Sequence, residues 1–207
     1  MSPRRPDARS LGELVEALSA SDFNERALAL AELVRRGHQS TQALLAAFQT
    51  PDIELRARIA QGLAEIADPM SADTLAAMLS DPDERLRARG AQGLTRIRDP
   101  RALDALLSTI DDYPDIMREP DTLSTDGLTD LGPAVLPRVV PLLKAPNPMT
   151  RERAFLVVRR LVPQLPNGGN WQPLWEGLGR YHPTAPQGQR DAAADQWAAW
   201  IGRQVPF

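Results

Sequence analysis

The chain has 207 residues, of which 43% are hydrophobic but only 5% aromatic, and its formal net charge is −3. This acidic balance argues against a protein whose main task is to neutralise a phosphate backbone. The absence of cysteine excludes disulfides and thiolate metal sites. Because small aliphatic residues must do most of the packing, closely approaching helices are expected, and a β-sandwich is not.

The first residues, 1–9, are polar and contain two prolines, so a flexible tail is expected there. The apolar pattern that follows is interrupted by acids, which does not fit the core of a signal peptide. No apolar run reaches the length that a bilayer requires. A cytoplasmic location without membrane contact is therefore the expectation.

Helices are predicted in pairs over residues 10–50. Ser10 is a candidate N-cap for a first helix, and Ser21 or Asp22 caps a second helix that ends at Gly37. A third helix is predicted over 40–49. The second helix has apolar residues mostly on one stripe, which predicts burial of Phe23, Leu28, Leu30, Leu33 and Val34.

A repeated segment follows. Residues 55–69, LRARIAQGLAEIADP, return as residues 86–100, LRARGAQGLTRIRDP, with 11 of 15 positions identical at an offset of 31. Such self-similarity is typical of stacked repeats. Gly62 and Gly93 hold the same place in mid-helix, where glycine is unfavourable, so they are interpreted as points of close helix approach. Partner helices are predicted over 71–80 and 101–110.

The pattern L..LL.D.D..LR.RAAQGL..I.DPRAL..LL resembles the HEAT-like repeats, particularly the short bacterial subtype found in phycobilin-lyase-type proteins. The resemblance covers residues 51–110 best, extends to 10–50 and thins beyond 110. It implies an all-α fold, a right-handed α-solenoid (alpha-alpha superhelix) of about five to six helical hairpins, whose second helices line a concave face. It implies no single activity, because these arrays serve as scaffolds, chaperone-like lyase subunits and, in one group, DNA glycosylases.

The second half is predicted to be less regular, since 13 of the 19 prolines lie after residue 110. One solenoid is expected over residues 10–207. It comprises regular repeats at 10–110, an acidic insertion at 111–131 and C-terminal capping repeats at 132–207, with helices over 133–144 (kinked), 150–161, 171–181 and 188–204. Two interpretations of the terminal tryptophans stay open, a buried cap or an exposed patch: Trp171, Trp175, Trp197 and Trp200.

Two pairs of charged residues mark the starts of the repeated helices. Asp52 with Arg56, and Asp83 with Arg87, stand four residues apart, where an ion pair can form and the aspartate complements the helix dipole. The resemblance to HEAT-like repeats implies that these four residues form a structural ladder between neighbouring units.

A second row of polar residues lies away from the apolar stripe. Stacking would align one such residue per repeat into a strip on the concave face, and its arginine excess suits carboxylates and phosphates. The alternative is that these charges only solvate the helices. The strip comprises Arg58, Gln61, Glu65, Arg89, Gln92, Arg96, Arg153 and Arg160.

The insertion is strongly acidic, with Arg118 its only cation between residues 111 and 130. It is interpreted either as a solvated loop or as a lip that docks a basic partner. The candidate residues of this acidic loop are Asp111, Asp112, Asp115, Glu119 and Asp121.

The residues predict no enzyme: no catalytic motif, metal-ligand set or cofactor site is recognisable. A protein–protein interaction module, a scaffold or adaptor that binds a protein or peptide on the concave strip, is the leading hypothesis. The alternatives are a nucleic-acid-binding or DNA-repair module, against which the acidic pI speaks, and a lyase- or chaperone-like subunit for a cofactor-bearing protein. The oligomeric state stays open.

Overall fold

The computed structural model describes residues 9–205, so residues 1–8 of the predicted tail and the last two residues of the capping repeats lie outside the described part. Within it the chain is helical, with one isolated β-bridge between Pro114 and Thr122, which confirms the predicted all-α fold. The chain divides into two compact units, residues 1–105 (unit 1) and 106–207 (unit 2), and the single solenoid over residues 10–207 stays a prediction.

Unit 1 contains three helical hairpins in its described residues. Within each hairpin the two helices pack together, and the second helices also pack on one another along the chain, α2 on α4 and α4 on α6. This is the arrangement predicted for stacked repeats. The hairpins are α1 (Leu11–Ala17) with α2 (Phe23–Arg36), α3 (His38–Ala47) with α4 (Ile53–Ile66), and α5 (Ala72–Met78) with α6 (Glu84–Arg96).

Caps at the helix starts follow the sequence closely. Ser10 forms a reciprocal capping box with Glu13 at α1, and the carboxylates of Asp22, Asp52 and Asp83 accept backbone N–H groups at α2, α4 and α6. Each cap satisfies donors that the first helical turn leaves unpaired. These aspartates therefore fix where each second helix begins.

Gly93 lies where α6 meets α5 and α4. A Cβ atom there would lie 2.6 Å and 2.7 Å from the two Cδ atoms of Leu75 and 3.2 Å from the Cα of Ala64. At Gly62 the nearest atoms, the Cδ1 atoms of Leu30 and Leu44, would be 3.3 Å away. The predicted close approach is thus confirmed, and it is tighter at Gly93.

Unit 2 is less regular, as its prolines predict. The segment predicted as a kinked helix is split into a 3₁₀ turn (Pro133–Val135), α9 (Leu136–Val139) and a second 3₁₀ stretch (Val140–Lys144). The other helices are α7 (Ala102–Ser108), which spans the boundary between the units, α8 (Leu123–Asp130), α10 (Pro148–Leu161), α11 (Trp171–Gly177) and α12 (Gln187–Gln204).

α10 occupies the centre of unit 2, packing against α8, α9 and the 140–144 stretch, while α12 covers that stretch and α9. Trp197 is fully buried, Trp200 is 8% exposed, and Trp171 and Trp175 are half-buried. The ring of Trp171 stacks on that of Trp197 with 5.4 Å between centroids. The tryptophans therefore close the core of this unit, as the cap interpretation predicted.

Two expectations are corrected. Phe23 and Leu28, predicted on the buried stripe of α2, are 70% and 56% exposed because the helix presents that side away from the core of unit 1. Arg9, predicted as tail, is held by an ion pair with Glu25 (3.1 Å) and by a hydrogen bond from Arg36 to its carbonyl.

Candidate functional site

The predicted strip divides between the two units. Six of its residues lie on the adjacent second helices of unit 1, Arg58, Gln61 and Glu65 on α4 and Arg89, Gln92 and Arg96 on α6. All six retain solvent-accessible surface. The other two, Arg153 and Arg160, lie on α10 in unit 2.

Local hydrogen bonds orient the unit 1 side chains. Gln61 donates to Glu65 (2.8 Å), and Arg89 donates to Gln92 (2.9 Å), along the exposed side of each helix. Because each donor and acceptor stand three or four residues apart, the helix itself sets this geometry. The pairs form two short polar rows.

Contacts with the backbone hold two of the arginines more firmly. Arg58 donates to the carbonyl of Leu18 (3.0 Å), with Glu54 at 3.7 Å, and its side chain is 28% exposed. Arg96 reaches back to the carbonyl of Ala64 (3.3 Å). Each contact occupies part of a guanidinium that has five N–H donors, so further donors remain for a ligand.

A cavity of about 260 Å³ marks one end of this strip. Arg58 and Gln61 line it from α4, and the opposite wall is formed by residues of α2: Phe23, Arg26, Ala27 and Leu30. Arg26 lies over the ring of Phe23, with 5.8 Å from its Cζ to the ring centroid, in cation–π geometry. The cavity combines an exposed aromatic ring with two arginines.

The strip prediction missed the α2 wall. Phe23 and Leu30 stand seven residues apart on one side of α2, and both belong to the stripe that the sequence predicts to be buried. A second apolar stripe on α2, through Ala29 and Leu33, forms the core side of the helix, since these residues are 1% and 0% exposed. This second stripe is the sequence signal that could have separated the cavity wall from the core.

Arg153 does not belong to an accessible strip. It is 4% exposed, and it donates to the carbonyl of Pro120 (3.1 Å) and to the carboxylate of Asp111 (2.8 Å). Arg160 pairs with Asp121 (2.7 Å) and Asp126 (3.3 Å). Both arginines thus bind the chain's own acidic segment, because α10 packs beside α8.

The acidic loop is therefore not simply solvated, which corrects one of the two interpretations. Asp111 also accepts from Asn147 (3.1 Å) and from the hydroxyl of Thr150, and Asp121 is 8% exposed. Arg118, through a side-chain hydrogen bond, lowers the pKa of Asp115. Asp112 is half-buried.

The tip of this loop carries the most exposed apolar side chains described, since Ile116 and Met117 are 90% and 91% exposed. Glu119 is exposed beside them. The sequence interpretation treated the loop by its charge alone and missed this apolar tip. The two ends of the loop are held by arginines and its tip is exposed. Docking of a basic partner on this loop stays a prediction.

The links between repeats differ from the predicted pairs Asp52–Arg56 and Asp83–Arg87. Arg56 pairs with Asp81, 25 positions away, and not with its cap residue Asp52, and it lies 5.5 Å from the ring centroid of Phe48. Arg85 joins Asp83 (2.7 Å) to Glu54 (2.8 Å) of the preceding repeat. Arg87 donates to the carbonyls of Asp81 and Pro82.

The capping role explains this change. The carboxylates of Asp52 and Asp83 are oriented towards the first turns of α4 and α6. Arg56 on α4 reaches Asp81 in the turn before α6, and Arg85 on α6 reaches Glu54 on α4. The side-chain hydrogen bond from Arg85 lowers the pKa of Asp83. Arg56 and Arg85 therefore link successive repeats, which the cap-to-arginine pairs could not do.

Among residues 9–205, no group of three or more metal-binding side chains is found that could hold an ion. His38 lies 3.0 Å from the carboxylate of Asp68. None of the helices described combines the length and the apolar character needed to cross a bilayer.

Comparison with known proteins gives a family match for part of the chain. Residues 41–120 match the family model of HEAT repeats. Among solved structures, the chain is similar to the crystal structure of an engineered protein from the Northeast Structural Genomics Consortium, with a TM-score of 0.46 and 14% identity, covering 95% of this chain and 98% of that chain. A search of curated proteins found no match. The resemblance to HEAT repeats is therefore confirmed for residues 41–120.

Proposed function

We propose that this chain is a non-enzymatic protein-binding module, a scaffold or adaptor that holds an acidic peptide segment of its partner on the second helices of unit 1. The observation that carries the proposal is the cavity between α2 and α4, where Phe23 lies beside Arg26 and Arg58. The family supports it, because HEAT repeats commonly mediate protein–protein interactions.

The chemistry of the cavity favours one class of ligand. Exposed apolar surface next to arginine is typical of protein interfaces, where aromatic and arginine side chains contribute most of the binding energy. Arginine binds carboxylates through paired hydrogen bonds. A peptide with an apolar side chain next to Asp or Glu would match Phe23, Arg26 and Arg58.

The remaining residues of the strip extend this surface. Gln61 and Glu65 continue along α4, and Arg89, Gln92 and Arg96 continue on α6. Amide and guanidinium groups fixed on helices lose little freedom on binding, which favours affinity. The acidic loop of unit 2 is not needed for this proposal.

A selection experiment tests it. A displayed library of random dodecapeptides is selected on the immobilised full chain, and synthetic copies of the enriched peptides are titrated by fluorescence anisotropy. Peptides that join acidic and apolar residues are expected. Arg58→Glu should weaken their binding at least about tenfold, because it places like charge at the site.

Arg98→Glu is the matched control, since Arg98 is exposed and follows the end of α6 outside the strip. Enriched peptides that are basic, or that bind Arg58→Glu and the parent chain equally, would contradict the proposal. Labelled DNA and RNA oligonucleotides test the alternative function: binding that weakens steeply with salt and is lost in Arg58→Glu would replace a peptide by a nucleic acid.

A further inference from the structure

Unit 2 contains a second cavity, with a volume of about 230 Å³, between α10, α11 and the turn that follows α11. Aromatic side chains form most of its wall. Its lining residues are Phe155, Arg159, Trp171, Gln172, Trp175, Tyr181 and His182.

Packing fixes the aromatic wall in place. Phe155 lies 4.9 Å from Tyr181 and 5.9 Å from Trp171 between ring centroids. The indole N–H of Trp175 donates to the carbonyl of Tyr181 (3.0 Å), and the Tyr181 hydroxyl donates to the carbonyl of Leu143 (2.6 Å). Burial raises the pKa of Tyr181 to about 12, so the hydroxyl keeps the proton that it donates. The cavity is therefore preformed.

Arg159 distinguishes this cavity from a simple packing defect. It is exposed, one helical turn after Phe155 on α10, and within residues 9–205 no ion pair or hydrogen bond of its side chain is found. The other arginines of α10 are all engaged: Arg151 with backbone carbonyls, Arg153 with Asp111 and Arg160 with Asp121. An unpaired guanidinium thus borders an aromatic cavity.

We propose that this cavity binds a single large apolar side chain of a peptide while Arg159 binds a carboxylate of the same peptide. The volume is below the roughly 300–1,000 Å³ usual for pockets that take whole small molecules, which favours one side chain. A cationic ligand, which aromatic rings alone would attract, is disfavoured by the charge of Arg159. This site lies in unit 2 and does not depend on the function proposed for unit 1.

Two matched probes test the proposal on the full chain. N-acetylphenylalanine presents an aromatic ring and a carboxylate, and N-acetylphenylalaninamide presents the same ring without the charge. All four tryptophans belong to unit 2, so saturable changes in tryptophan fluorescence report binding there. The acid is expected to bind roughly tenfold more tightly than the amide, as a charge-assisted pair with arginine would give.

Arg159→Gln should abolish this preference by weakening the acid about tenfold, with little effect on the amide. Arg203→Gln, an exposed arginine of α12, is the control and should change neither affinity. Equal binding of acid and amide, an unchanged preference in Arg159→Gln, or no saturable binding of either probe would overturn the proposal. Tighter binding of phenethylamine than of the acid would also overturn it. Arg58→Glu should leave these titrations unchanged, which separates this site from that of unit 1.

Discussion

The guanidinium of Arg153 lies 2.8 Å from the carboxylate of Asp111, and its side chain is only 5% exposed. By repeat position, this arginine corresponds to Arg58 and Arg89, which remain partly accessible in unit 1. The same position therefore serves two purposes. In unit 1 it stays partly accessible to solvent, and in unit 2 it holds the start of the acidic loop.

Removal of Arg153 should destabilise unit 2. Arg153→Ala removes the guanidinium that donates to Oδ1 of Asp111 and to the carbonyl of Pro120, and we expect a loss of about 2–4 kcal/mol in the free energy of unfolding. Urea unfolding followed by tryptophan fluorescence measures it. Arg159→Ala, an exposed site on the same helix, should change stability by less than about 0.5 kcal/mol. Equal effects of the two substitutions would refute the proposed role of Arg153 in stabilising unit 2.

Gly93 should tolerate no larger residue. Gly93→Ala forces its Cβ against both Cδ atoms of Leu75, and a loss of about 1–3 kcal/mol is expected. Gly62→Ala meets only the flexible ends of Leu30 and Leu44 at 3.3 Å and should cost less. Gly12→Ala meets nothing within 4 Å and should stabilise α1 by up to about 1 kcal/mol. Thermal unfolding by circular dichroism should reproduce this order; Gly93→Ala as stable as the parent would contradict the close contact.

The Arg56–Asp81 pair should couple energetically across repeats. Because both side chains are largely buried, at 26% and 13% exposure, a double-mutant cycle with Arg56→Gln and Asp81→Asn should give about 1 kcal/mol or more. The more exposed pair Lys144–Asp195, at 40% and 68% exposure, should give about 0–1 kcal/mol. Chemical denaturation of the four variants of each cycle provides the values. A larger coupling for the exposed pair would argue against the ladder.

Glu32 should make the stability of the fold depend on pH in the acidic range. Hydrogen bonds from Arg35 and then Arg36 lower its pKa from 4.5 to about 2. A carboxylate whose folded pKa is depressed stabilises the fold above the unfolded pKa and loses that contribution as the pH falls towards the folded pKa. The difference in melting temperature between the parent chain and Glu32→Gln should therefore be constant above about pH 5 and shrink between pH 4.5 and 2.

Glu16→Gln on α1 serves as the control for this titration, since Glu16 is exposed. Its melting temperature should follow that of the parent chain through the same pH range. A difference between Glu32→Gln and the parent that does not shrink in acid would show that the ion pairs with Arg35 and Arg36 contribute nothing to stability.

The helix starts and the close helix contacts could be predicted from the sequence because their signals lie within a few residues of one another. Asp22 and Asp52 cap the helices that follow them, since a cap joins groups only two or three residues apart. The close contact at Gly93 could be predicted because glycine is unfavourable in the middle of a helix. The candidate site was only partly readable. Gln61 and Arg89 are accessible as expected, but Phe23 was assigned to the core because both sides of α2 carry apolar residues.

The sequence by itself determined that the chain is helical, where most helices begin, and that residues 55–69 and 86–100 repeat one unit. Only the tertiary structure decided which charged side chains are already paired within the fold. Arginines at the same repeat position cannot be distinguished in the sequence. The free energy of a charged side chain depends on its partners and its burial, and residues far along the chain set both. Arg153 finds Asp111 at a separation of 42 residues, whereas the packing of α11 beside α10 leaves Arg159 open at an aromatic cavity.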